Sequence, residues 1–154
     1  MRAERRAWDR MTISTRDFGP VEVAEADIVT FVEPIFGFED CREFVFLRQP
    51  EFDPHFIWLQ SVAEPMVCFV LANPHDILPD YKAALPPSAA AALGEGDYVF
   101  WALTVLRDPY YDSTVNLKSP IVVNCTTGRA MQLILEEPYS IRHPLAEQKE
   151  DETC

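Results

Sequence analysis

Thr114-Val-Asn-Leu-Lys-Ser-Pro-Ile-Val-Val-Asn124 alternates apolar and polar side chains, the period-two pattern of a half-buried strand. Asn116, Lys118 and Pro120 break into that pattern. Pro120 brings no backbone N–H to a ladder, so the stretch reads as a strand bent or ended near that residue. The segments on either side read as strands as well. YVFWALTVLR (98–107) precedes it and RAMQLILEE (129–137) follows it as a partner. Between 124 and 129, CTTGR is a tight turn in which Gly128 can take positive φ.

The period of two persists outward along the chain. FIWLQSV (56–62) and MVCFVLAN (66–73) stand at hairpin spacing, separated by Ala63-Glu64-Pro65. VEVAEADIVTFV (21–32) reads as two short strands broken at Glu25-Ala26-Asp27. A turn is expected at 33–38, where Pro34 and Gly37 stand, and a helical turn over 39–43 before EFVFLR (43–48). QPEFDPH (49–55) and DPYYDS (108–113) read as loops. The four prolines of NPHDILPDYKAALPP (73–87) exclude a central strand or a long helix. SAAAALG (88–94) predicts a two-turn helix, capped by Ser88 and stopped by a left-handed Gly94.

These elements predict a mainly β, single-domain, antiparallel β-barrel-like or sandwich fold with one or two short helices. The β domain is expected over residues 13–146. Residues 1–12 are expected as a flexible extension and 147–154 as a disordered acidic tail. Both YVFWALTVLR and FIWLQSV are apolar on both faces, so they are central strands covered on two sides or they present a patch. Burial is the simpler reading, and on it Trp101→Ala would cost about 3–5 kcal/mol.

With 154 residues the chain can bury roughly 68–70% of its unfolded surface without staples. The formal net charge is −12, and it is unevenly spread. Arg2, Arg5, Arg6 and Arg10 face Glu4 and Asp9 in the first ten residues, which leaves 9 basic and 23 acidic side chains beyond them. Such a surface repels nucleic acid and steers in basic proteins. No apolar run approaches the roughly 18–20 residues of a membrane span, and the N-terminus has no signal-peptide apolar core. A cytoplasmic protein, with no membrane partner, is expected.

Chemistry leaves few marks. Cys41, Cys68, Cys125 and Cys154 are scattered, without the tight spacing of a metal site. His55, His75 and His143 stand alone, and Glu136-Glu137 would point to opposite faces of a strand. No nucleophile elbow, phosphate loop or zinc helix motif is present, so a non-enzymatic protein without cofactor or metal is expected. The contact surface is expected at Asp80, Tyr81 and Lys82, with Tyr110 and Tyr111 near and Asp76 and Asp108 around them: tyrosines rimmed by charge. On that reading Tyr81→Ala weakens partner binding by about 1–2 kcal/mol without unfolding the domain. The alternative is a flavin-like ligand in a barrel mouth, stacked on Trp58 or Trp101.

Six blocks, in order, resemble the FliW family of flagellar assembly factors. They are DFGPVEVAEADIVTF (17–31), GFED (37–40), FIWLQSV, NPHDILPDY (73–81), TVNLKSPIVVN and IRHPL (141–145). The resemblance covers about residues 15–145. It departs at one turn, where the family's Gly-Ile-Pro-Gly-Phe-Glu is here Pro34-Ile35-Phe36-Gly37-Phe38-Glu39. It implies a barrel-like regulator that binds flagellin and antagonises the translational repressor CsrA, thereby coupling flagellin synthesis to export. It also implies no direct contact with RNA, and the free protein is expected to be a monomer.

Overall fold

Short alternating segments build ten strands among the described residues of a computed structural model, residues 10–48 and 55–145. They are β1 (Arg10–Ser14), β2 (Pro20–Ala24), β3 (Val29–Phe31), β4 (Glu43–Leu47), β5 (Phe56–Ser61), β6 (Cys68–Ala72), β7 (Tyr98–Val105), β8 (Thr114–Asn124), β9 (Arg129–Gln132) and β10 (His143–Pro144). Two helices, α1 (Pro74–Ile77) and α2 (Pro87–Leu93), complete the set, with 3-10 turns at Glu25–Asp27 and Tyr110–Asp112.

The strands from β3 to β8 form one antiparallel run, and β9 joins its two ends. It pairs antiparallel with β8 and parallel with β3 through Thr30↔Arg129 and Phe31↔Ala130. The sheet is therefore a closed ring of seven strands, the barrel of the two expected architectures. The β3–β9 pair is its one departure from antiparallel order. β10 flanks the ring on β8, and β1 and β2 form a separate hairpin.

One apolar cluster draws on every strand of the ring and marks the barrel interior. It includes Phe31, Phe44, Leu59, Leu71, Ile121 and Ala130, with Phe46, Phe69, Trp101 and Leu103 partly buried at its margin. Phe56, Trp58, Cys68, Ala102 and Val122 point outward and are covered by Tyr81, Ala89, Leu93, Leu133 and Leu135. Outward-facing Val45 is covered by Ile13, Val23 and Ile28 of the hairpin and its exit. Two covers over one ring explain why all six residues of β5 are buried. Trp101 is only half-buried, so its truncation should cost less than a core ring would.

β8 does not end at Pro120. It runs through as an eleven-residue strand with a large bulge. Asn116 lies opposite Leu103 and Ile121 opposite Trp101, so five steps along β8 match two along β7. The three extra residues are an odd number and reverse the alternation. Val115 and Leu117 face the outer cover, and after the bulge Val122 takes that side. The polar residues hold the bulge: Asn116 Oδ1 accepts from the N–H groups of Lys118 and Ser119 at 3.1 and 3.0 Å. Lys118 Nζ donates to the Glu137 carbonyl at 2.8 Å.

Other local expectations change. Arg10, Met11 and Thr12 belong to β1, paired with Ala24, Val23 and Glu22, so the expected extension over 1–12 reaches too far. Residues 1–9, the loop at 49–54 and the tail from 146 lie outside the described residues. Residues 39–43 form no helical turn. The Cys41 N–H bonds the Phe38 carbonyl and β4 begins at Glu43. Ser88 does not cap α2, because Pro86 and Pro87 start the helix and no side chain caps it. Gly94 ends it at φ 85° and ψ 175°, outside the left-handed helical well.

At α2 a buried amide locks the connection in place of a side-chain cap. Asn124 is fully buried at the end of β8. Its Nδ2 donates to the carbonyls of Leu93, Gly94 and Glu95, and its Oδ1 accepts from the Thr126 and Thr127 N–H groups. Gly96 crosses this site at φ 150°, where a Cβ would stand 2.5 Å from Asn124 Oδ1 and 2.6 Å from Thr126 Oγ1. Gly96→Ala is expected to cost about 1–3 kcal/mol, from the unfavourable backbone region and the displaced amide. A denaturant midpoint equal to that of the parent would contradict this.

Candidate docking surfaces

Of the side chains expected at a contact surface, several are exposed and one is buried. Asp80 and Lys82 are exposed, as are Asp108 and Tyr111; Tyr111 is 64% exposed. Tyr110 begins the 3-10 turn after Pro109. No hydrogen bond, ion pair or ring contact joins Asp80 or Lys82 to Asp108 or Tyr111 among the described residues. Asp76 Oδ2 lies 3.1 Å from His55 Nδ1.

Tyr81 is not an exposed anchor. It is 2% exposed, and its hydroxyl donates to the Leu117 carbonyl at 2.7 Å. The bulge in β8 turns Leu117 away from the β7 ladder, and the proline-rich segment folds back to supply the donor. His75 and Tyr139 pack on the ring, with centroids 5.7 and 4.7 Å away. Burial, then Tyr139 and Glu137, pushes the phenol above its ordinary range. Trp58 is 5% exposed and meets the edge of Phe18 at 5.9 Å. Among the described residues no cluster of His, Cys, Asp or Glu could hold a metal ion, and no helix is long and apolar enough to cross a membrane.

Two grooves stand out. The first, of about 500 Å³, lies between the 33–39 turn, α2 and the chain just after β9. Its apolar wall includes Phe36 and Ile134, 57% and 61% exposed, together with Met131 and Leu133. Glu33 and Glu39 line it, and no basic side chain does among the described residues. Buried Gln132 shapes it: Oε1 accepts from the Phe36 N–H at 3.0 Å, and Nε2 donates to the Ser119 carbonyl in the β8 bulge at 3.1 Å. Sequence reading passed over Phe36 and Ile134. The signal available was a proline–glycine turn that exposes two phenylalanines.

The second groove, of about 1050 Å³, opens where β6 and β7 part. Their pairing covers only Val70–Ala72. Arg16, Arg107 and Arg142 line it with Trp58, Leu106 and Ile141, and no carboxylate does among the described residues. Arg16 comes from the tip of the β1–β2 hairpin. Its Nη1 donates to the Cys68 carbonyl at 2.9 Å, which the parted ladder leaves open, while Nη2 and Nε both donate to Asp17, at 2.8 and 3.1 Å. That hydrogen bond with Asp17 is the main reason its pKa is raised. Burial raises the Cys68 thiol to about 11, against the opposing charge of Arg16.

The family model described as FliW protein matches residues 12–145. The flagellar assembly factor FliW of Exiguobacterium sp. is 40% identical over 138 residues, 88% of this chain and 94% of that one. The FliW of Bdellovibrio bacteriovorus is 37% identical over 139 residues, 88% of this chain and 79% of that one. A crystal structure of a flagellar assembly factor FliW superposes with a TM-score of 0.83 at 35% identity, covering 90% of this chain and 99% of the other. The matched span holds the whole barrel and both of its covers, and on that basis the chain belongs to the FliW family of flagellar assembly factors.

Proposed function

We propose that this flagellar assembly factor works in the cytoplasm as a monomeric, non-enzymatic docking protein, binding flagellin and the translational regulator CsrA in exchange. The observation that carries the reading is the groove of Phe36 and Ile134 with Glu33 and Glu39 beside it, on a chain of net charge −12. Exposed apolar anchors supply contact energy, and carboxylates around them favour a basic, amphipathic partner segment. The same charge keeps RNA away, which suits a protein that acts on an RNA-binding regulator without touching its RNA.

Size-exclusion chromatography of the protein mixed with CsrA, or with flagellin, at low and high salt tests the reading. Co-elution is expected with each, and the CsrA complex should weaken as salt rises. Co-elution with neither would overturn it. Phe36→Asp combined with Ile134→Asp is expected to weaken binding of at least one partner tenfold or more, about 1.4 kcal/mol, with the melting temperature unchanged. If both affinities persist in the folded variant, contact moves to the exposed residues Asp80, Lys82, Asp108 and Tyr111, where Tyr111→Ala is the next substitution to measure.

A further inference from the structure

The arginine groove has no part in that reading, and its charge is opposite to that of the chain. Arg107 and Arg142 are exposed, and neither pairs with a carboxylate among the described residues. The last described residues lead directly to this place. β10 pairs His143 with Val115 and Pro144 with Thr114, and Thr114 is a wall of the groove. The Leu145 N–H then bonds the Ser113 carbonyl at 2.9 Å, while Ser113 Oγ accepts from the Arg107 N–H at 2.8 Å. The chain therefore leaves the described region beside Arg107. The next nine residues, Ala146 to Cys154, carry Glu147, Glu150, Asp151 and Glu152 against one cation, Lys149.

We propose that the groove of Arg16, Arg107 and Arg142 is a binding site for an acidic peptide segment, and that in the free protein its occupant is residues 146–154 of the same chain. Arg107 and Arg142 over an apolar floor complement a run of carboxylates, with Arg16 already held by Asp17. Each residue advances the chain by up to about 3.3–3.6 Å, so the seven residues 146–152 extend up to about 23–25 Å from Leu145, beside the groove wall at Thr114. Tethering makes the encounter intramolecular, at an effective concentration that a free acidic peptide would have to match. The tail is then a built-in competitor for whatever acidic segment approaches this face.

The full chain carries its own probe site. In a Cys125→Ser background Cys154 is the thiol left for a nitroxide label, because Cys41 and Cys68 are buried. The raised thiol pKa of Cys68 further slows its reaction. With the label attached, the amide signals of Val105, Leu106, Arg107 and Thr114 are expected to broaden selectively in about 0.1 M salt and to recover in about 1 M salt, where screening is short-ranged. They should also recover in Arg107→Glu with Arg142→Glu. A tail variant with Glu147→Gln, Glu150→Gln, Asp151→Asn and Glu152→Gln should recover them too, with the domain untouched. Uniform signal intensities at low salt would overturn the proposal. So would broadening that survives both sets of substitutions, or that appears only when labelled protein is added in trans to unlabelled protein.

Discussion

Replacing Tyr81 with alanine is expected to destabilise the domain by about 3–5 kcal/mol, the range for emptying a buried aromatic site. The ring is 2% exposed and wedged between His75 and Tyr139. Its hydroxyl serves the Leu117 carbonyl, which would be left buried without a donor. Tyr81→Phe separates these two effects: it keeps the ring and is expected to cost about 1–3 kcal/mol for the stranded carbonyl. A domain has about 5–15 kcal/mol in total, so the alanine variant should melt far earlier than the phenylalanine one. Because burial raises the phenol above its ordinary value of 10, the unfolded chain ionises first and parent stability falls as the pH rises above about 10. Tyr81→Phe should lose that part of the alkaline slope. An alanine variant of unchanged stability that failed to bind partners would restore Tyr81 to the surface.

Asn124→Leu is the second large change, expected to cost at least about 3 kcal/mol, the upper end for buried polar groups that lose their partners. It removes the donor to three carbonyls behind α2 and the acceptor for two N–H groups in the β8–β9 turn. Asn124→Asp keeps the acceptor and loses the donors, so it should fall between the parent and the leucine variant. Urea unfolding measures both, and the midpoint should shift with the slope unchanged. A leucine variant within about 0.5 kcal/mol of the parent, the usual range for surface substitutions, would mean that water replaces the amide without loss.

Much of the barrel was legible because it depends on local alternation. β5, β6 and their hairpin, β7, and the Gly128 turn all follow from neighbouring residues. The double covering of β5 was legible in outline from its two apolar faces. The β8 bulge was half legible: Asn116, Lys118 and Pro120 signalled a break, but only the β7 register shows a strand that reverses its faces and continues. Tyr81 was misplaced because proline-rich composition suggests an exposed loop, whereas this loop returns to meet a carbonyl 36 residues away. Asn124, Gln60 and Gln132 are buried for the same long-range reason: Asn124 donates to the Leu93 carbonyl, Gln60 Oε1 accepts from the Arg16 N–H and Gln132 Oε1 from the Phe36 N–H, groups that only the fold brings together. Neither groove was legible, since Arg16, Arg107 and Arg142 meet only after the hairpin tip, β7 and the chain before β10 come together.

The parallel contact of β3 with β9 has a consequence for synthesis of the chain. Two residue pairs join positions about a hundred apart, and until Arg129 and Ala130 have left the ribosome β3 has nothing to zip against on that side. The nascent protein would hold a curved sheet with a bare rim, the state in which β proteins most readily recruit strangers. On the β3 side that rim is only three residues long, Val29–Phe31, flanked by the acidic turn at Glu25–Asp27, while on the other side β8 waits for β9 over Ile121–Asn124. Brevity and charge together guard the β3 rim during the interval before the ring can shut.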